Sequence, residues 1–272
     1  MFNTILVPLD GSARAEFALD VTKQLAPECI VLLRVADLMQ NSLGMEYGAF
    51  PMQTFNYEIQ EAEAYLREVS ARPVYATLPL YTNAMIGHPA RAIVEKAEAV
   101  DADLIVMTTH GYQGIQRLLY GSVTEQVLRH ANCPVLVLRD DAPLKHIVVA
   151  VDGSPLAEQS LAPALELAAR LGADVTLLCV EESEKDVLDA EHYLDALLQT
   201  WQRPAVTIAT KVVKGHAAEQ ILAESNSSVI SISTHGRSGL QRWVYGSVTE
   251  KVLRQTDQAM LIVRPIKESV VT

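Results

Sequence analysis

The sequence predicts an α/β protein built from two tandem doubly wound sheets, each of five parallel strands with helices on both faces. Three observations carry that expectation. Short β-branched, apolar runs alternate along the chain with segments whose apolar residues recur every three or four positions. An Asp-Gly-Ser turn follows the first such run at Asp10-Gly11-Ser12 and recurs at Asp152-Gly153-Ser154. A 21-residue stretch at 109–129, THGYQGIQRLLYGSVTEQVLR, returns at 234–254 as THGRSGLQRWVYGSVTEKVLR, with 15 positions identical. A repeat of that length divides the 272 residues into two domains of ordinary size, expected at 1–140 and 145–272.

In the first half, TILVPL at 4–9 reads as a strand, the Asp-Gly-Ser turn follows, and 13–25 shows helical spacing. CIVLLRV at 29–35 is the second strand, nearly all apolar, as expected where helices cover both faces. The stretch 37–55, with Gly44, Gly48 and Pro51, is a long connection of the kind that forms lids or packed flaps. A helix is expected over 57–71, a third strand over 73–81, and a third helix opened by Gly87-His88-Pro89. A fourth strand at 104–107 runs into the repeated stretch, a helix begins at Ser122 and ends before Asn132-Cys133-Pro134, and VLVL at 135–138 is the fifth strand.

After a short polar linker at 140–143 the order restarts. Strands are expected at 146–151, 175–180, 205–213, 229–232 and 259–263. Helices are expected at 155–171, within 183–201, from Gly215-His216-Ala217 onward, and from Ser247. Asp152 follows Asp10 by 142 residues whereas His235 follows His110 by 125, so the second half is 17 residues shorter, mostly in the long connection.

Composition narrows the function classes. A net charge of -11 argues against nucleic acid or an anionic membrane as partner, since both require clustered Lys and Arg. No apolar run approaches the ~20 residues of a membrane span, and the first residues lack the basic head and apolar body of a signal peptide, which places the chain in the cytoplasm. Cys29, Cys133 and Cys179 are odd in number, far apart and without a C-x-x-C, and read as small buried thiols rather than metal ligands.

The repeated stretch has the grammar of a glycine loop entering a helix. Gly111 and Gly236 each precede a nine-residue spacer that ends at Gly121-Ser122 or Gly246-Ser247, where the amphipathic pattern starts with Val123 or Val248. The first turn of a helix carries amides without intrahelical partners and roughly half a positive charge, so it holds phosphate without a lysine. Ser122-x-x-Glu125 and Ser247-x-x-Glu250 also read as capping boxes, which accounts for Ser and Glu but not for the glycines or the spacer.

With these motifs in place, each half resembles a universal stress protein domain, and the chain is similar to the tandem type of that family. The carrying motif is the family's Gly-x-x-Gly, nine residues, Gly-Ser. Thr108 and Ser233 stand where its first glycine falls, and Gly114 and Gly239 lie inside the spacers. The resemblance implies a strand order of 3-2-1-4-5 and a nucleotide at the carboxyl ends of the first and fourth strands. It implies Asp10 and Asp152 near the ribose or a Mg²⁺ ion, backbone at Val35 and Val180 meeting adenine, and the glycine loops on the phosphates of ATP, ADP or AMP. For both aspartates, a turn or helix-cap role stands beside ligand contact.

No G-x-x-x-x-G-K-[ST] string exists and neither loop contains a lysine, so binding is better supported than turnover. His110 and His235 read as locally bonded histidines rather than bases, and Arg117, Arg237 and Arg242 as solvated loop cations. The resulting expectation is a nucleotide-binding stress regulator. Two alternatives stay beside it: a slow ATPase or autophosphorylating protein, and a ligand-free scaffold in which antiparallel pairing of the fifth strands makes an internal pseudo-dimer, with a homodimer as a further assembly.

Overall fold

The computed structural model describes residues 2–37, 52–109, 121–139, 144–234 and 245–265. The chain divides into two compact units, one built from Phe2–Thr109 with Ser122–Cys133 and the other chiefly from Pro134–Thr272. In the first unit the order is β1 (Thr4–Leu9), α1 (Ala13–Gln24), β2 (Cys29–Ala36), α2 (Met52–Ser70), β3 (Leu80–Ile86), α3 (Pro89–Ala99), β4 (Leu104–Thr108) and α4 (Ser122–His130). Its strands lie in the order β3-β2-β1-β4, and each pairing is parallel.

The other unit holds β5 (Val135–Leu138), β6 (His146–Val151), α5 (Pro155–Glu158), α6 (Leu161–Leu171), β7 (Asp174–Glu181), α7 (Glu184–Trp201), β8 (Ile208–Lys214), α8 (Ala217–Glu224), β9 (Val229–Ser233), α9 (Ser247–Gln255) and β10 (Met260–Val263). Strands β6 to β10 are all parallel and lie in the order β8-β7-β6-β9-β10, which is 3-2-1-4-5 for the second half. Strand β5 joins this sheet by antiparallel pairing with β10, Leu136 opposite Leu261.

The cores follow from this layering. A parallel strand covered on both faces hides both sets of side chains, so consecutive residues Ile5, Leu6 and Val7 are fully buried, as are Leu104, Ile105 and Val106. In each half the chain lays its second and third strands on one side of the first, then crosses to lay the fourth on the other. This order sets β1 beside β4 and β6 beside β9, the switch point at whose carboxyl ends sheets of this kind take their ligands.

Four elements depart from the expected boundaries, among them β8, which starts at Ile208 rather than 205. The third strand is Leu80–Ile86 instead of 73–81, because Pro73–Tyr75 form a 3-10 turn and Pro79 has no N–H. Pairing with β2 starts only where the Pro79 carbonyl accepts Ile30 N–H at 2.9 Å. Helix α2 begins at Met52, ahead of the expected 57. The expected helix 155–171 is broken after Glu158 and resumes at Leu161. Pro163 explains the break: it offers no N–H to the carbonyl four residues back, Gln159, and its ring crowds that carbonyl.

Candidate functional site

The site is assembled from the ends of adjacent strands. In β1 and β2, Leu9 pairs with Arg34, which sets Val35 level with Asp10, and β4 beside β1 ends at Thr108. In the second half Val151 pairs with Cys179, so Val180 stands level with Asp152, and β9 beside β6 ends at Ser233. Segments about 100 residues apart in sequence thus meet, an acid turn against the strand that feeds the glycine loop. Gly111, Gly114, Gly236 and Gly239, with His110, His235, Arg117, Arg237 and Arg242, lie outside the described residues.

The acid turns have the same construction twice. Asp10 Oδ1 accepts Ser12 N–H at 2.9 Å, and Ser12 Oγ accepts Ala15 N–H at 3.1 Å to cap α1. Asp152 Oδ1 accepts Ser154 N–H at 3.0 Å and Ser154 Oγ–H at 2.6 Å, while Ser154 Oγ accepts Ala157 N–H at 3.1 Å to cap α5. Gly11 and Gly153 have φ of 87° and 79°, the left-handed region that a side chain disfavours. The turn role of both aspartates is therefore real, and Asp152 lines the second-half cavity.

In the second half the crevice is a cavity of about 240 Å³. Its apolar walls include Leu178, Val180, Ile221 and Ile232, and its polar side is formed by Asp152, Ser233, Gly246 and Ser247, with Val248 beside them. Ser233, at the expected position of the family's first glycine, is buried at the cavity edge, and its carbonyl accepts Thr249 Oγ–H at 2.9 Å. That bond ties the first turn of α9 to the end of β9. A second closes the loop's base: Gly246 N–H donates to the Thr234 carbonyl at 2.9 Å.

Gly246 is the residue that most sharply defines this end of the helix. Its φ of -55° and ψ of 148° are open to any amino acid, so the backbone does not require glycine there. A Cβ on Gly246 would meet Thr234 O at 3.5 Å, an ordinary contact, and one on Gly121 would meet nothing described within 4 Å. The capping box expected from Ser247-x-x-Glu250 is not formed in α9. Ser247 and Ser122 are the first residues of α9 and α4, one position inside a cap, and the N-cap of α9 is Gly246, which has no side chain to cap with. Glu125 accepts from Arg129 at 2.7 Å and Glu250 from Arg254 at 2.8 Å, each arginine one turn on.

Sequence reasoning missed a polar pair behind each acid turn. Tyr65 Oη donates to Glu16 Oε1 at 3.0 Å, and Tyr193 Oη donates to Glu158 Oε1 at 3.1 Å. Each glutamate stands six residues after its aspartate, a repeat visible in the chain; the tyrosines come from α2 and α7 and declare themselves only in three dimensions. Burial, then the adjoining carboxylate, push both phenols well above their ordinary range. The surroundings differ between halves. Glu16 is also held by Arg72 at 2.6 Å, and the Arg34 guanidinium, 5.7 Å from the centre of the Tyr65 ring, donates to Leu9 O at 3.4 Å. At the place of Arg34 the second half has the buried Cys179, whose thiol lies 3.7 Å from Glu181 Oε1.

Of the three thiols, Cys179 is buried, and Cys29 and Cys133 are half-buried. Among the described residues no three His, Cys, Asp or Glu side chains gather as a metal site, and no helix is long and apolar enough to cross a membrane.

Fold and crevice together define the class: a tandem α/β protein whose second half, at least, opens a mostly apolar cavity between an acid turn and a glycine-led helix. Comparison with known proteins agrees. The sequence model of the universal stress protein family matches residues 1–139 and again 143–264. A universal stress protein of Mycobacterium tuberculosis is 32% identical over 184 residues, 60% of this chain and 62% of that protein's length. One of Methanocaldococcus jannaschii is 34% identical over 145 residues, 51% of this chain and 83% of that protein. The crystal structure of a universal stress protein from Archaeoglobus fulgidus shares the fold with a TM-score of 0.76 over 97% of this chain and 99% of that one, at 20% identity. The chain belongs to the universal stress protein family, in tandem form.

Proposed function

We propose that this protein is a cytoplasmic ATP-binding regulator or sensor of stress, with the second-half crevice as a nucleotide site and the first half built to the same plan. The observation that carries the reading is Gly246. Among the described residues nothing bars a side chain at that position, and its backbone angles suit any residue, which supports a role in which the bare backbone is approached closely. A phosphate is the group that suits it, because the first turn of α9 starts there with its positive dipole end. The apolar walls at Leu178, Val180, Ile221 and Ile232 suit a nucleobase, and Asp152 stands where a ribose hydroxyl or a phosphate-bound Mg²⁺ would meet it. In the first half Asp10, Val35, Thr108, Gly121, Ser122 and Val123 would take the corresponding roles.

Regulation suits these groups better than catalysis, since no lysine is available in either loop to stabilise phosphoryl transfer. The antiparallel pairing of β5 with β10 favours a second reading beside this one, a scaffold in which one chain carries both partners of a pseudo-dimer contact. Native mass spectrometry of the purified protein, before and after addition of ATP and Mg²⁺, separates the two. One or two nucleotides per chain support the sensor. None at millimolar ATP leaves the scaffold, and phosphate appearing on Ser122 or Ser247 reports an autophosphorylating protein.

A further inference from the structure

We infer that Tyr193 is a positioning residue for the second-half crevice and that it couples occupancy of the crevice to helix α7. The inference rests on the nucleotide reading of that crevice. Its basis is the break in the helix after the acid turn. In the first half α1 runs unbroken for 12 residues. In the second half α5 is a single turn of four residues, severed from α6 by the Pro163 break, yet it supplies Ala157 to the cavity wall. One turn of helix does not hold its own position.

Alongside its packing on β6 and β9, where Ala157 is buried, α5 is held by polar bonds. Its cap runs to Asp152 through Ser154, and Glu158, adjacent to the wall residue Ala157, accepts the Tyr193 hydroxyl at 3.1 Å. Tyr193 lies in the middle of α7, so a continuous set of bonds runs from α7 through Glu158 and the α5 backbone to the carboxylate at the cavity mouth. The Glu158 amide closes it by donating to Ser154 O at 3.2 Å. The first half has cations in this region, Arg72 on Glu16 and Arg34 over the Tyr65 ring; among the described residues the second half has the tyrosine on Glu158 without such a cation, and Cys179 in place of Arg34. The link is therefore more exposed to a single substitution in the second half.

The test uses the full chain, ATP with Mg²⁺, titration calorimetry and hydrogen exchange read by mass spectrometry. In the wild type, saturating ATP should slow exchange in 150–158 and also in 186–201. Tyr193→Phe should weaken ATP binding at this site by roughly five- to tenfold, a part of what one hydrogen bond to a charged acceptor is worth, because the bond is already made in the unliganded protein. It should also remove the protection of 186–201 while keeping that of 150–158. Glu158→Leu should match it, Glu158→Gln, which retains an acceptor oxygen, should restore most of the affinity, and Tyr65→Phe should leave the response of α7 intact. Wild-type affinity and unchanged α7 protection in Tyr193→Phe would overturn the coupling while the nucleotide site stands. A wild-type protein with no ATP protection in 150–158 would overturn both.

Discussion

Replacing Gly246 with leucine separates what the fold needs from what a ligand needs. The residue has φ of -55°, and its added Cβ would touch described atoms only at Thr234 O, 3.5 Å away. Losing glycine's freedom in the unfolded chain stabilises by about 0.4–1 kcal/mol where the native backbone is compatible. Gly246→Leu should thus unfold in urea within about 1 kcal/mol of the wild type, a change in melting temperature of no more than about 4 °C. Gly246, however, lines a cavity of about 240 Å³ at the start of α9, so a leucine there should crowd the first amides of that helix. Losing two hydrogen bonds from those amides to a phosphate costs about 1.5–3 kcal/mol each, so ATP affinity should fall by at least about 100-fold. Calorimetric titration with ATP and Mg²⁺, on Gly246→Leu, Gly121→Leu and the double variant, reads each half in turn. ATP affinity within threefold of wild type in Gly246→Leu would refute the reasoning. So would a loss of stability above about 3 kcal/mol, since that would mean the fold itself demands the glycine.

Other consequences are open to simpler measurements. Ser231 lies fully buried in the central strand β9, and its hydroxyl has no hydrogen-bond partner among the described residues, whereas the matching residue of β4 is Val106. Ser231→Ala should raise the urea unfolding free energy by about 1 kcal/mol, and an unchanged or lower value would contradict this. Burial raises the Glu166 carboxyl, but the Arg170 guanidinium bonded to it at 2.9 Å helps bring the balance below the ordinary carboxylate range. A depressed carboxyl means the unfolded chain binds more protons in acid. Its contribution is therefore present above about pH 4.3 and is lost as the pH falls through the folded value. The stability gap between wild type and Glu166→Gln, about 1 kcal/mol or less at neutral pH, should narrow in that acidic window. Burial pushes the Cys133 thiol up to about 12, so alkylation at pH 8 in the folded state should leave Cys133 unmodified while denaturant exposes it. Leu261→Ala, which empties a fully buried position opposite Leu136, should cost about 2–5 kcal/mol, with urea titration as the check.

Much of the architecture was legible because its causes are local. Helices α4 and α9 start at the serines after the repeated glycines, and β5 and β6 lie at the expected residues, since apolar periodicity and turn chemistry act over a few neighbours. Where two local signals competed, pattern alone misjudged the outcome. The β-compatible residues at 73–81 gave way to two prolines, and the apolar periodicity of 155–171 concealed the effect of Pro163. The Ser-x-x-Glu spacing fitted a capping box as well as a helix interior, and which occurs depends on where the first turn begins. That starting point is set by Gly246 N–H bonding back to Thr234 O, a contact across the base of the loop.

By itself the chain determined the two-fold repeat, the alternation of strand and helix, the two acid turns and the glycine-led helix starts, because each is written in spacing between near neighbours. Only the tertiary structure decided that the second-half motifs enclose a cavity, that Tyr65 and Tyr193 stand behind Glu16 and Glu158, and that β5 pairs with β10. Those depend on residues dozens to more than a hundred positions apart, brought together by burying the strands' apolar faces, and no local pattern encodes that convergence.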